Sequence, residues 1–284
     1  MLRDIETILL QDSARLIGAL ELAPDSARIE VQCLLQQVLN VTRAYFPTHP
    51  ERRLNKPEQT RYDELLQRRL RGEPIAYLLG EREFFGLSFK VTPATLIPRP
   101  ETELLVELAL QRISKHQLCR VLDLGTGSGA IALAIAHECS NVEVVACDAS
   151  AAALEVARKN AQGLNITHVA FVLSDWFAAL TGKRFDIIVA NPPYVAADDP
   201  HLKQGDVRFE PLSALASGGD GLHDIRHIIS HASNHLEPNG WLLLEHGYDQ
   251  AAQVRELLQQ AGYGEVFSAL DLAKIERVSG GRMT

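Results

Sequence analysis

Cys119-Arg120-Val121-Leu122-Asp123-Leu124-Gly125-Thr126-Gly127-Ser128-Gly129-Ala130-Ile131 decides the fold. Its first six residues are apolar enough to be a buried strand, and its glycines let a backbone turn sharply. Residues 131–136 then continue at helical spacing. A strand, a glycine-rich turn and a helix make half of a βαβ unit, and the rest of the pattern lies on both sides. Downstream, strands are expected at 142–147, 169–173, 185–190 and 241–245, and helices at 151–160, 222–236 and 250–261. Alternation of this kind implies a parallel sheet covered by helices on both faces, an α/β fold of Rossmann-like type. Segments 264–269 and 275–280 suit a terminal antiparallel pair.

Upstream the character changes twice. Residues 1–75 carry apolar side chains three or four apart, as in Ile5, Ile8, Leu9 and Leu16, then Leu34, Leu35, Val38 and Leu39. That spacing predicts a small helical bundle, with helix starts at Pro24-Asp25-Ser26 and Lys56-Pro57-Glu58. Phe84, Phe85, Phe89, Val91 and Thr92 favour strands, and Gly86 suits the turn between them, so a β-hairpin is expected within 84–96. Ile97-Pro98-Arg99-Pro100 is extended, and the acids Glu101 and Glu103 suit the helix start that follows. The resulting division is a helical domain at 1–82, a hairpin linker at 83–98 and an α/β domain at 99–284.

The glycine spacing separates cofactors. A dinucleotide site needs G-x-G-x-x-G, whose third glycine lets the helix pack closely beneath a pyrophosphate. Here the loop reads G-x-G-x-G, and with Asp123 before it resembles the S-adenosylmethionine loop of class I methyltransferases. That cofactor has no phosphate, so Gly125, Thr126, Gly127, Ser128 and Gly129 would supply close backbone approach and polar contacts. Asp148 ends the next strand, where a carboxylate accepts from both ribose hydroxyls. Asp175-Trp176 follows the third strand, and suits an adenine ring: an acid for the exocyclic amine, an aromatic for stacking. The same pair also suits a turn cap and a core residue.

Asn191-Pro192-Pro193-Tyr194 follows the strand at 185–190. Ligands of open parallel sheets collect at the carboxyl ends of strands, so this motif is well placed. An amide nitrogen is a poor nucleophile because its lone pair is delocalised. The Asn191 side-chain oxygen and the Pro192 carbonyl could grip its two N–H groups. The prolines stiffen the loop and remove competing donors. Tyr194 could lie against a planar substrate group and exclude water. Such a site works through orientation and electrostatics rather than a strong base. Asn191, Pro192 and Tyr194 are the expected catalytic residues, Pro193 a further substrate contact.

With these motifs in place, the chain resembles the PrmC/HemK family of peptide chain release factor N5-glutamine methyltransferases over nearly its whole length. The resemblance rests on residues 71–77, residues 96–103, Asp123 to Gly129, Asn191 to Tyr194, Arg208-Phe209-Glu210-Pro211 and Leu244-Glu245-His246-Gly247. It implies S-adenosylmethionine as methyl donor, leaving S-adenosylhomocysteine. It implies as substrate the glutamine of the Gly-Gly-Gln loop of class 1 release factors, and a helical domain that helps dock them. Cofactor contacts would fall on Gly125 to Gly129, Asp148, Trp176 and Asn191, and substrate contacts on Asn191 to Tyr194. Near the C-terminus family members often read Asn-Glu-Arg, where this chain has Ile275-Glu276-Arg277.

Composition narrows the alternatives. A nucleic-acid adenine-N6 methyltransferase could use the same Asn-Pro-Pro-Tyr chemistry, but it needs a basic, aromatic target-recognition region. This chain has no such insertion and carries a net charge of −8, so no direct nucleic-acid contact is expected. Cys33, Cys119, Cys139 and Cys147 form no C-x-x-C pair and read as reduced thiols. No apolar run is long enough to cross a bilayer and the N-terminus lacks a signal peptide's apolar centre, so a cytoplasmic protein is expected; a monomer is expected as well. His223, His227, His231 and His235 recur every four residues, mainly opposite or beside the apolar face of their helix, and read as a solvated stripe with no metal expected. Arg68, Arg69 and Arg71 cluster near a helix end, where they suit the helix dipole or an acidic partner.

Overall fold

The computed structural model describes residues 2–114 and 117–283. The chain separates into two units, one running up to Glu81 and including Lys203–Phe209, the other comprising Arg82–Leu202 and Glu210 onward. The short segment at 203–209 was not anticipated as part of the helical unit.

In the first unit, α1 (Ile5–Leu20) is capped by Asp4, whose Oδ1 accepts from Thr7 N at 2.8 Å. Helix α2 (Pro24–Leu39) starts on proline, which needs no N–H there. A short α3 (Tyr45–Thr48) leads to α4 (Lys56–Leu70), where Asn55 and Glu58 form a reciprocal capping box at 3.0 and 2.9 Å. Helix α5 (Ile75–Leu79) follows. Ile5, Ile8, Leu16, Val31, Leu34, Leu35, Tyr62 and Leu66 share one buried core, each contributing about 1.5–3 kcal/mol by leaving water. Arg69 is buried, donating to Glu30 at 2.6 Å and to Asp206 at 2.9 Å. Of the basic cluster, Arg69 is therefore a structural cross-link, while Arg68 pairs with Glu73 at the surface.

A two-stranded hairpin, β1 (Glu81–Phe84) and β2 (Leu87–Lys90), follows, turning at Gly86 as expected. It starts earlier than the sequence suggests and ends at Lys90. Pro93 has no N–H to offer a ladder, and a turn closes from Thr95 N to Thr92 O at 3.0 Å, so 91–98 is not strand. After a 3₁₀ turn at Pro100–Thr102 and α6 (Glu103–Leu110) comes the sheet.

Its seven strands are β3 (Cys119–Leu124), β4 (Val142–Asp148), β5 (Val169–Leu173), β6 (Phe185–Ala190), β7 (Leu236–Glu245), β8 (Tyr263–Leu270) and β9 (Glu276–Met283). They lie in the order β5-β4-β3-β6-β7-β9-β8. The first five are parallel, and β9 pairs antiparallel with both β7 and β8. Helices α7 (Ala130–Glu138), α8 (Ala151–Gly163), α9 (His223–Ala232) and α10 (Ala251–Gln260) complete the unit. Val121, Val144 and Ile187 pack with α6 and α7, while Leu122, Leu124, Ile188 and Leu244 pack with α9 and α10, so alternate strand residues feed opposite cores. This is the expected doubly covered α/β sheet. Strand order reverses between β3 and β6, and there the carboxyl ends diverge into a crevice. No helix among the described residues is long and apolar enough to cross a membrane.

Candidate active site

A cavity of about 700 Å³ opens at this switch point, within the usual range of small-molecule sites. Gly125, Thr126, Gly127, Ser128, Asp148, Asp175, Trp176, Asn191 and Pro193 all line it. Gly129, Pro192 and Tyr194, also expected at the site, do not.

The glycine loop is held from behind. Gly125, Gly127 and Gly129 have φ of 72°, 56° and 85°. At Gly129 a Cβ would in addition meet Leu133 Cδ1 at 3.0 Å and Ala157 Cβ at 3.2 Å, so its place is that of helix packing rather than ligand contact. The hydroxyl of Thr126 is committed to Asp123 Oδ2 at 2.6 Å. Asn160, buried on the apolar face of α8, donates to Ser128 O at 2.8 Å and exchanges two bonds with the Lys90 backbone. Sequence reading passed over Asn160. The signal was a polar residue three and seven positions beyond the apolar Ala157 and Ala153.

Asp148 is fixed by two backbone donors, Gly127 N to Oδ2 at 2.9 Å and Ser150 N to Oδ1 at 2.8 Å. Each oxygen keeps lone-pair capacity for a further hydroxyl. Burial pushes its carboxyl up, and those two N–H groups oppose the shift. Trp176 has φ of 45°, a strained conformation for a bulky side chain. The strain is sustained because Ser174 Oγ donates to Trp176 O at 2.7 Å and accepts from Ala179 N at 3.0 Å. Ser174 therefore builds the turn and Asp175 stays exposed on the cavity wall. A wall of aromatic ring, paired acceptors and bare backbone fits a nucleoside with neighbouring hydroxyls.

Asp123 is fully buried, with Oδ2 accepting from Thr126 and from Ala132 N at 3.2 Å, and Oδ1 lacking any direct partner among the described residues. Burial pushes its carboxyl up to about 7. Between an unfolded pKa of about 3.9 and that value, the unfolded chain has released the proton while the folded chain keeps it, so stability falls as pH rises through the window. Urea denaturation without cofactor should show wild type losing up to about 1.4 kcal/mol per pH unit relative to Asp123→Asn between about pH 5 and 7, then levelling. A pH-independent difference would refute the assigned burial cost.

Asn191 leaves the end of β6, and its Nδ2 donates to Thr102 Oγ1 at 3.2 Å. With the amine so occupied and no hydrogen bond to Oδ1 among the described residues, the oxygen is the free end of the amide. Tyr194 packs against the core under α9, and its hydroxyl donates to Glu245 Oε1 at 3.3 Å. Burial raises the Tyr194 phenol well above its usual range, with the neighbouring Glu245 charge adding to the effect. Gln250 bridges Gly247 N at 2.8 Å and Tyr194 O at 3.0 Å, clamping the loop. Glu210 is buried, accepting from Ile97 N at 3.0 Å and from Arg99. Thr102, Glu245 and Gln250 were not foreseen as parts of the site. Glu245 left a trace, an acid closing the apolar run Trp241-Leu242-Leu243-Leu244.

The histidine stripe is a stacking array. His227 and His231 lie 4.3 Å apart between ring centroids, and His235 stacks on Phe177 at 4.7 Å. Among the described residues no three metal-ligating side chains converge.

Two family models match the chain. Residues 101–220 match the model of the methyltransferase small domain, and residues 14–80 that of the PrmC N-terminal domain. Release factor glutamine methyltransferase of Xylella fastidiosa is 51% identical over 255 residues, 90% of this chain and 93% of that protein. Its Escherichia coli counterpart is 48% identical over 260 residues, 92% of this chain and 94% of that protein. A methyltransferase from Pyrococcus furiosus shares the fold at 19% identity, with a TM-score of 0.54 over 78% of this chain and 98% of that one. The chain thus belongs to the release factor glutamine methyltransferase family.

Proposed function

We propose that this protein transfers a methyl group from S-adenosylmethionine to the side-chain amide nitrogen of the Gly-Gly-Gln glutamine in class 1 release factors. The observation that carries the reading is the Asn191 amide, tied by Thr102 so that its oxygen is left to accept, at the switch point beside Asp148. The family supplies the substrate class. Bound S-adenosylmethionine would provide an electrophilic methyl carbon. Asp148 would accept from the ribose hydroxyls, Gly125 to Ser128 would line the methionine side with Gly129 supporting the loop, and Asp175 with Trp176 would meet the adenine. Asn191 Oδ1 and the Pro192 carbonyl would hold the two N–H groups of the substrate amide and aim its nitrogen at that carbon. Both acceptors favour the partial positive charge that develops on nitrogen during transfer. Pro193 and Tyr194 would close the pocket against water. The helical domain at 1–82 would dock the release factor, the segment at 83–98, which holds most of the hairpin and the extended stretch after it, would join it to the catalytic domain at 99–284, and the protein would act in the cytoplasm as a monomer without nucleic acid.

The test is incubation with labelled S-adenosylmethionine and, separately, purified release factor or DNA, followed by mass spectrometry of each product. One added methylene unit on the Gly-Gly-Gln glutamine is expected. Label on adenine in DNA, with none on the release factor, would replace this reading by the nucleic-acid one.

A further inference from the structure

Glu245 stands at the carboxyl end of β7 and is buried, although nothing in the reaction above uses it. Ala190 of β6 pairs in register with Leu244 of β7, so Asn191 and Glu245 leave neighbouring strands side by side. One carboxyl oxygen accepts from Tyr194 at 3.3 Å, longer than an optimal hydroxyl bond. The other lacks any direct hydrogen-bond partner among the described residues. A buried acid so poorly partnered costs stability, and a well-packed apolar side chain would serve the fold better. Its presence calls for another account.

An asparagine amide offers an oxygen and an amine of nearly equal shape, and its partner decides which end faces a ligand. Thr102 Oγ1 receives the Asn191 amine at 3.2 Å. A hydroxyl both donates and accepts, so Thr102 discriminates between the two ends only if its own proton is committed elsewhere. The Glu245 oxygen that lacks a partner is the acceptor open to that proton, and the Thr102 hydroxyl favours the ionised carboxylate. When ionised, that carboxylate has no proton to give back. With the Thr102 proton turned to that oxygen, the polarity would run one way, from the Asn191 amine to Thr102, from Thr102 to Glu245, and from Tyr194 to Glu245. Each bond in such a chain strengthens the next. We propose that Glu245 is a positioning residue which, through Thr102, holds the Asn191 amide with its oxygen toward the substrate. The inference rests on the reading of Asn191 Oδ1 as the acceptor for the substrate amide.

The electrostatic surroundings agree. Burial pushes the Glu245 carboxyl up to about 7, the Thr102 hydroxyl, Arg277 and the Tyr194 hydroxyl favour its ionised form, and Glu101 opposes it. Protonated Glu245 would become a donor, freeing the Thr102 proton to turn toward Asn191.

The test uses full-length enzyme, S-adenosylmethionine and an intact class 1 release factor. Thr102→Val and Glu245→Leu should each lower kcat about 100-fold, with KM for the release factor and Kd for S-adenosylhomocysteine within about threefold of wild type. Thr102→Ser should recover kcat to within about threefold, because it restores the hydroxyl. The double variant should be no slower than the slower single one, since both break the same chain. Glu245→Leu guards against a folding failure of Thr102→Val, and its melting temperature should stay level or rise. Wild-type kcat in Thr102→Val or Glu245→Leu, with Asn191→Ala inactive, would overturn the positioning role and leave the function intact. Loss of kcat only alongside a fall in melting temperature, unrescued by Thr102→Ser, would do the same. Full activity in Asn191→Ala would instead remove the reading on which the inference stands.

Discussion

Asn191→Ala should lower kcat about 1,000-fold while leaving S-adenosylhomocysteine binding measurable by calorimetry. The size follows from what the side chain is asked to do. A neutral amide nitrogen has almost no nucleophilicity until its lone pair is withdrawn from the carbonyl. An acceptor at each N–H is the device that the proposed site offers for that. Removing one pre-oriented hydrogen-bonding group from such a centre costs about 10²–10³ in rate, and misplacing the amide costs more. The Pro192 carbonyl is untouched by the substitution and would hold one N–H alone. Asn191→Asp keeps an acceptor of the same size but places a charge where an amide stood, and its Thr102 contact would change from receiving a proton to giving one. It should therefore rescue kcat only in part. Wild-type turnover in Asn191→Ala, measured by transfer of label to release factor, would remove the central role of this residue.

Much of the architecture was legible because periodicity is a local signal. The strands at Cys119–Leu124, Val169–Leu173 and Phe185–Ala190 end where their apolar runs end, and the helix starts at Pro24 and Lys56 are written in their caps. The residues lining the cavity, such as Asp148 and Asn191, were legible because they sit at strand ends, a position readable from order alone. What escaped depends on contacts between distant segments. Thr102 meets Asn191 across 89 positions, and Gln250 meets Tyr194 across 56. Arg69 looked like an ordinary helix-end cation, yet it is buried against Glu30 and Asp206, 39 and 137 positions away. No pattern within one turn of a helix carries such information. The hairpin was misjudged for a different reason: Val91 and Thr92 have strand propensity, but Pro93 and the Thr92 turn override it.

Gly221→Ala should destabilise the protein by about 2–4 kcal/mol and lower kcat about 100-fold, although residue 221 makes no contact with the cavity. Gly221 has φ of 74°, which alone costs an alanine about 1–2 kcal/mol. The larger effect is steric. A Cβ there would stand 2.3 Å from Tyr194 O and 2.8 Å from Gln250 Nε2, closer than any real contact. The first of these is backbone and cannot rotate away. Relief requires the Tyr194 carbonyl to move, which breaks its bond from Gln250 and shifts the loop that holds Asn191 and Pro192. Gly182 provides the matched control, with φ of 74° and nothing within 4 Å of its Cβ position. Gly182→Ala should therefore show the conformational cost alone, about 1–2 kcal/mol, with kcat unchanged. Urea denaturation and single-turnover kinetics on both variants separate the two contributions. Equal kcat in the two would mean that the reaction loop tolerates displacement of the Tyr194 carbonyl, and that its geometry is set elsewhere.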